Sequence, residues 1–328
     1  MTRLAPATPT KVFDAYWQFA AERQNIFFRR NRGLPVQDLT NDPILKTYKF
    51  TNAYRASDRV SQFLIRNVIY SGIQTSEELF FRVMLFKFFN RIETWEMLQR
   101  RLGEITYAEY SFEKYDDVLT KYKADGNQLY SGAYIMPSGS RSFGSHLKHR
   151  NNLKLLEMMM EDELPDRLKS AESMKMAFEL ILSYPSIGDF LAYQYVTDLN
   201  YSTLLDFPEM QFVVPGPGCL SGLEKCFSSF GGYSAANLVR LVTESQEEHF
   251  ERLGLKFKSL WGRRLQLIDC QNLFCEVDKY ARVAFPEVAT KSNRTRIKQQ
   301  FRPKSDPIDY WFPPKWEINE KIESELDI

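Results

Sequence analysis

The chain has 328 residues, 44% hydrophobic and 26% charged, with 43 Lys and Arg against 42 Asp and Glu. That is long enough and apolar enough to bury a large core, as one big domain or two smaller ones. The net charge of +1 excludes a whole-molecule field that would gather nucleic acid, so any such surface must be local.

In chain order, Met1 to Lys11 carries no apolar h-region, so no signal peptide is expected. Lys11 to Arg30 reads as an amphipathic helix, with Phe13, Tyr16, Trp17, Ala20, Gln24 and Phe27 at helical spacing. A basic cluster and Gly33 close it. Asp42 and Pro43 suit the N-cap and first position of the next helix. A long helix is expected over Tyr54 to Tyr70, stopped by Ser71-Gly72. Thr75 and Glu78 have capping-box spacing before Leu79 to Asn90. That apolar run is interrupted by Arg82 and Lys87 and is too short for a bilayer, so no membrane partner is expected and the protein reads as intracellular.

Short helices follow at Glu93 to Leu102 and Phe112 to Lys123. A Gly-, Ser- and Tyr-rich stretch comes next, with extended structure possible around Ala133 to Met136. Phe143 to Glu161 reads as one helix, bearing Lys148 and Arg150 on its early turns. Met174 to Ser183 is helical, and Pro185 then halts it. Ser186-Ile187-Gly188 turns the chain, with Gly188 free to take a positive φ, and a second helix carries Phe190, Leu191, Tyr193 and Val196. The pattern fits either an αα-hairpin in a helical core or a helix-hairpin-helix whose outward amides hold a phosphate.

Pro215-Gly216-Pro217-Gly218 lies between Phe212-Val213-Val214 and a helical pattern. It is either a tight helix entry or a place where a ligand meets the backbone at Gly216 and Gly218. No G-x-x-x-x-G-K-[ST] exists in the chain, so no nucleotide triphosphate site or other cofactor is expected. Long helices over Ser234 to Arg252 and Leu265 to Phe285 complete an all-α class. Cys219, Cys226, Cys270 and Cys275 lack C-x-x-C spacing and His146, His149 and His249 lack a metal-pair spacing, so reduced thiols and no metal are expected. The boundary is expected near 290, with 291–328 forming a basic and aromatic arm ending in an acidic tail. There Lys291, Arg294, Arg296, Lys298, Arg302 and Lys304 precede Tyr310, Trp311, Phe312 and Trp316. Such interleaving suits a nucleic-acid backbone with stacked bases, or aromatics packed on the core with the charges solvated.

Two polar faces stand out. Asn52, Arg55 and Arg59 recur at i, i+3 and i+7, and arginines there suit phosphate or carboxylate. Asp269, Asn272, Glu276 and Lys279 share a face on the last long helix, where they could orient a base edge and move a proton or simply form a surface ion pair.

The segments T-N-D-P-I-L-K-T-Y-K-F-T-N-A-Y-R-A-S-D-R-V, Y-P-S-I-G-D-F-L-A-Y-Q-Y-V-T-D-L-N-Y-S, F-V-V-P-G-P-G-C-L-S-G-L-E-K and L-F-C-E-V-D-K-Y-A-R occur in this order. They resemble the α-glutamyl/putrescinyl thymine pyrophosphorylase family, also described as amino acid:DNA transferases. They resemble equally the helical domain attached to 5-hydroxymethyl-deoxyuridine DNA kinases. The resemblance spans roughly residues 15 to 290. It implies a helix-hairpin-helix, DNA-glycosylase-like fold over 1–290 and DNA containing modified thymine or uracil as substrate. The implied reaction transfers a small amine or amino acid onto an activated pyrophosphoryloxymethyl-uracil, releasing pyrophosphate. With no P-loop here, a separate DNA kinase would be the partner that activates the base. In this frame Glu276 handles protons with Lys279 as its ion-pair partner. Asn272 and Asn52 read the base, while Arg55, Arg59 and the Gly216–Gly218 amides hold pyrophosphate. Ser186, Ile187, Gly188, Lys148 and Arg150 bind DNA. The glycosylase Asp is replaced by the Pro215–Gly218 stretch, so base excision would have to use Asp198 or Glu276. A non-catalytic DNA-binding module is the third alternative. Convergence of Asn52, Arg55, Asn272, Glu276 and Lys279 would favour an enzyme.

Overall fold

A computed structural model describes residues 5–288, 294–303 and 308–326, and Lys291 and Lys304 of the expected basic arm lie outside these. The described chain is almost entirely helical, with one two-stranded antiparallel ribbon pairing Thr8–Pro9 with Phe227–Ser229. It divides into two compact units, Met1–Asp58 with Phe212–Ile328, and Arg59–Gln211. The division therefore falls inside residues 1–290, and the first unit takes in the residues beyond 290 as well.

In that first unit, α1 (Lys11–Asn31) starts at Thr10, whose hydroxyl accepts from the Val12 amide. It buries Phe13, Tyr16, Trp17, Ala20, Gln24 and Phe27, the stripe the spacing marks. The short helix Pro43–Thr47 is capped by Asp42, whose carboxylate accepts from the Ile44 and Leu45 amides. The expected helix over Ser234 to Arg252 is two helices, Ala235–Glu244 and Gln246–Arg252, meeting at Ser245.

The second unit is built on α2 (Ser76–Phe89), buried on nearly every face, including Glu78, Arg82 and Lys87. A helix enclosed all round must be apolar all round, which explains its sequence. Thr75 caps it by accepting from the Glu78 amide, but Glu78 does not return the bond. Its carboxylate accepts instead from the Tyr107 and Ala108 amides at 2.8 and 3.1 Å. Residues 133–136 form no strand, and the helix expected from Phe143 begins properly only at α3 (Lys148–Glu161), because Gly144 is left-handed at φ 77°.

The hairpin joins α4 (Met174–Leu182) to α5 (Asp189–Leu199), which pack on each other. The residue with positive φ is Ser186 (68°), while Gly188 is extended at φ −103°. Pro185 followed by a left-handed residue, with the Ile187 amide donating to Tyr184 O at 3.3 Å, is a type II turn. The turn therefore places its left-handed position two residues before the glycine.

Back in the first unit, α6 (Pro217–Cys226) lies against α7 (Leu267–Ala284) in the most extensive helix contact of the structure. Gly218 sits over Cys275, and a Cβ on Gly222 would lie 2.0 Å from the Phe274 carbonyl oxygen. The glycines of this stretch let one helix backbone touch another. The arm packs its described aromatics inward. Phe312 is fully buried, the Tyr310 ring lies 4.9 Å from Phe27, and Arg263 sits over Trp316 at 3.8 Å. Residues 299–301 pair with 47–49 through the Lys49 amide to Gln299 O and the Phe301 amide to Thr47 O. Phe312 is thus part of the protein's own core, while Tyr310, Trp311 and Trp316 stay half-buried.

Candidate active site and nucleic-acid interface

The expected helix beginning at Tyr54 does not form. Residues 51–58 run as a loop with one 3-10 turn at Arg55–Ser57, followed by α-helix at Arg59–Phe63 and a wider turn at Leu64–Ile69. The reason is a competition for backbone amides. The Thr51 amide donates to Glu276 Oε2 at 2.8 Å, and the Arg55 amide to Asp269 Oδ1 at 2.8 Å. The Asn52 amide donates to Asp58 Oδ1 at 2.9 Å. A helix starting here would leave these first-turn amides unpaired, whereas the carboxylates satisfy them in the loop conformation. Asn52, Arg55 and Arg59 therefore do not form a helical row, and Arg59 opens the second unit.

Asp269 and Glu276 lie two turns apart on α7, so the loop is pinned along one helix face. Asn272 stands between them, half-buried, with no side-chain hydrogen bond among the described residues. Lys279 reaches both Glu276 oxygens, at 3.0 and 2.9 Å, and its ammonium lies over the Phe50 ring at 4.7 Å. Asn52, Arg55, Glu276 and Asp269 are all buried. The loop that carries Asn52 and Arg55 is thus tied by its backbone amides to the α7 face that carries Asn272, Glu276 and Lys279. Glu276 divides its oxygens between an amide and an ammonium, which is the geometry of a tether. The N-terminal turn of α6 meets α7 at Cys275, next to Glu276.

Two participants have no signal in the sequence. Arg23 of α1 is buried, and burial lowers its guanidinium to about 10. It donates to Thr51 O at 2.8 Å, Phe50 O at 3.3 Å and Asn52 Oδ1 at 3.1 Å. Asp58 is the other, and burial pushes its carboxyl up to about 7.

In the second unit, Asp198 is fully buried and pairs with Lys87 at 3.1 Å, while Lys87 also donates to Asn90 Oδ1 at 2.7 Å. The Tyr134 ring covers the Lys87 ammonium at 4.7 Å and stacks on Phe190. Gly188 has open space where a Cβ would stand. Gly139 links the hairpin to α3, since a Cβ there would lie 3.0 Å from Asn151 and 3.7 Å from the Ser186 hydroxyl. Lys148 and Arg150 lie on the same first turn of α3 as Asn151. Each already has a partner: Lys148 lies 3.9 Å from the Tyr130 ring centre, and Arg150 donates to Asp116 at 2.7 Å. A cavity of about 490 Å³ in this unit, lined by Glu104, Tyr110, Lys114 and Tyr115 among others, contains none of the site residues the sequence marks.

The four cysteines are free, and burial raises every one of their thiols, so none offers a ready thiolate. Among the described residues no cluster of His, Cys, Asp or Glu could hold a metal ion, and no helix is long and apolar enough to cross a membrane.

The sequence profile of the family described as "5-hmdU DNA kinase, helical domain" matches residues 10–290. The chain is also 28% identical over 331 residues to a 5-hmdU DNA kinase of Bacillus phage SP10. That match takes in 95% of this chain and 51% of the phage protein, so the chain spans about half the length of that relative. No solved structure matches it. The profile runs through the 51–58 loop, the α4–α5 hairpin and α7 alike, and the chain belongs to the 5-hmdU DNA kinase helical-domain family.

Proposed function

We propose that the chain is a DNA base hypermodification enzyme on a helix-hairpin-helix, DNA-glycosylase-like scaffold. It transfers an amine or amino acid onto a pyrophosphoryloxymethyl-uracil in DNA. The amine nitrogen bonds to the 5-methylene carbon, the carbon–oxygen bond breaks, and pyrophosphate leaves with the electron pair. The observation that supports this reading is the pinning of the 51–58 loop, which carries Asn52 and Arg55, to the α7 face of Asp269, Asn272, Glu276 and Lys279 through the Thr51 and Arg55 amides. Asn272 has an uncommitted amide for a base edge. Arg55, with the amides at Gly216 and Gly218, holds the leaving pyrophosphate. Glu276 and Lys279 keep the loop in register with Asn272. The target base must leave the stack to reach such groups. A separate DNA kinase supplies the activated base.

The test is incubation with DNA carrying the activated base and a panel of amines and amino acids, followed by mass analysis of the nucleosides. A new amino-linked nucleoside plus pyrophosphate is the expected result. Glu276→Gln should lower its yield by about 10²-fold or more. Free base in place of an adduct would shift the reading to a glycosylase using Asp198 or Glu276, and no change in the DNA would leave only a binding module.

DNA is held at the α4–α5 hairpin in this proposal, with the Ser186 and Gly188 amides offered at the turn that the Ile187 amide closes, and Lys148 and Arg150 adding charge. Gly188→Val is a clean probe. Its φ of −103° suits valine and nothing lies within 4 Å, so the side chain stands where a phosphate would sit. We expect that variant to fold normally and bind duplex at least tenfold more weakly. Wild-type affinity should fall with salt, with a log–log slope of about 0.9 per phosphate neutralised. Unchanged binding by Gly188→Val would remove the hairpin from the interface.

A further inference from the structure

We infer that Asp58 is the group that takes the proton from the incoming amine, a role that rests on the transfer reaction proposed above. Its carboxylate differs in kind from the others in the assembly. Glu276 accepts from the Thr51 amide and from Lys279, and Asp269 accepts from the Arg55 amide and, at 3.0 Å, from the Gln266 amide that begins α7. Both are committed to holding backbone in place. Asp58 accepts a single bond, from the Asn52 amide to Oδ1, and Oδ2 has no donor among the described residues. No lysine or arginine nitrogen lies within 4 Å of it among them, because Arg23 is directed to Phe50, Thr51 and Asn52 instead. The residue keeps partial exposure, so a reactant can reach the open oxygen.

This is the arrangement a general base needs: a carboxylate fixed by one donor, with an acceptor oxygen left uncommitted on a residue that keeps partial exposure. The charged groups facing it are Arg23 from α1, Arg55 from its own segment and Glu276 from α7. Burial dominates and raises its pKa, Glu276 adds to this, and the Asn52 amide and the two arginines oppose it, leaving the group near 7. A carboxylate of ordinary acidity would be a poor acceptor for an amine proton at neutral pH. One with a pKa near the working pH is both ionised and basic enough. As the nitrogen–carbon bond forms and pyrophosphate departs, the ammonium proton moves to Oδ2, and solvent removes it after product release.

The test compares wild type, Asp58→Asn and Asp58→Glu in the transfer assay between pH 5.5 and 9, at saturating DNA and amine. Asparagine is isosteric and still accepts from the Asn52 amide, so the loop is kept. Wild-type turnover is expected to rise with pH through about 7. Asp58→Asn should lose 10²- to 10⁴-fold in kcat with DNA affinity within twofold of wild type. Asp58→Glu should recover part of the loss with a displaced pH midpoint.

A second readout needs no activity. A raised carboxyl pKa means the folded state holds the proton more tightly than the unfolded chain, whose Asp titrates at about 3.9. The stability tied to that proton is complete below about pH 4 and is lost as pH rises through about 7. Thermal midpoints of wild type should therefore fall relative to Asp58→Asn across that window, and the two should differ by a constant amount above it. Product from wild type with undiminished turnover in Asp58→Asn would overturn the inference and leave the transfer reading intact. A stability difference independent of pH would overturn the enclosed-carboxyl argument. Absence of any transfer by wild type would defeat both.

Discussion

Gly222→Ala is expected to abolish accumulation of folded protein, or to lower stability by about 3 kcal/mol or more, at the extreme of what overpacking costs. The added methyl would stand 2.0 Å from the Phe274 carbonyl oxygen and 2.6 Å from its carbon. Both are backbone atoms of α7, so no side-chain rotation can make room, and the two helices must separate. That contact is the most extensive between helices in the structure, and it is locked by a buried charge cluster. Asp278 accepts from the Ser221 hydroxyl at 2.8 Å and pairs with Lys225 at 3.1 Å and with Arg282. Burial alone would raise the Asp278 carboxyl, but Arg282, Ser221 and Lys225 together hold it below the usual range. Separation of α6 from α7 would strand this cluster, which adds to the cost. Gly132→Ala is the control, since nothing lies within 4 Å of that position. Soluble yield and thermal unfolding of the two variants decide the matter. A Gly222→Ala protein melting within a degree or two of wild type would contradict the α6–α7 packing.

The second large effect belongs to the Lys87–Asp198 pair. Both side chains are at most 3% exposed, and each is the other's counter-charge. Asp198→Ala leaves an ammonium enclosed among Asn90, the Tyr134 ring and core apolar groups, and should cost about 3–5 kcal/mol. Lys87→Met in the same background removes the stranded charge and should restore most of the loss. The double variant is expected to lie within about 1 kcal/mol of wild type, or above it. Denaturant unfolding of the two single variants and the double gives the coupling directly. Additive losses would mean that the pair is not the stabilising unit. The double variant also bears on chemistry. Retention of transfer activity by a stable Lys87→Met/Asp198→Ala protein would exclude Asp198 from the reaction, whereas a glycosylase using Asp198 would lose activity with fold intact.

The sequence by itself determined the helices whose ends are local events. Thr75 before Ser76–Phe89 and Asp42 before Pro43–Thr47 cap their helices because a short polar side chain reaches amides only two or three residues on. The stripe on α1 was legible for the same reason: periodicity is a property of a dozen neighbouring residues. The hairpin was legible from Pro185 and the Ser-Ile-Gly turn, though the left-handed position proved to be Ser186. The α7 face, with Asp269, Asn272, Glu276 and Lys279 in one row, could be written down from spacing alone.

Only the tertiary structure decided what those residues face. The segment after Phe50 has helical residues, yet its amides go to carboxylates 225 and 214 positions away in sequence, and the helix is lost. No local pattern encodes a competitor that distant. The same holds for Gly222, whose missing side chain matters because Phe274 of another helix touches it. It holds for Arg23, an ordinary position on an amphipathic helix until the 50–52 backbone settles on its guanidinium. Asp58 is the clearest instance. Its sequence neighbours, Ser57 and Arg59, mark it as a solvated charge, while enclosure by the folded loop, α1 and α7 removes water from the carboxyl and raises its pKa. Local propensity is set by a residue's neighbours in the chain, but desolvation is set by whatever the fold brings within a few ångströms.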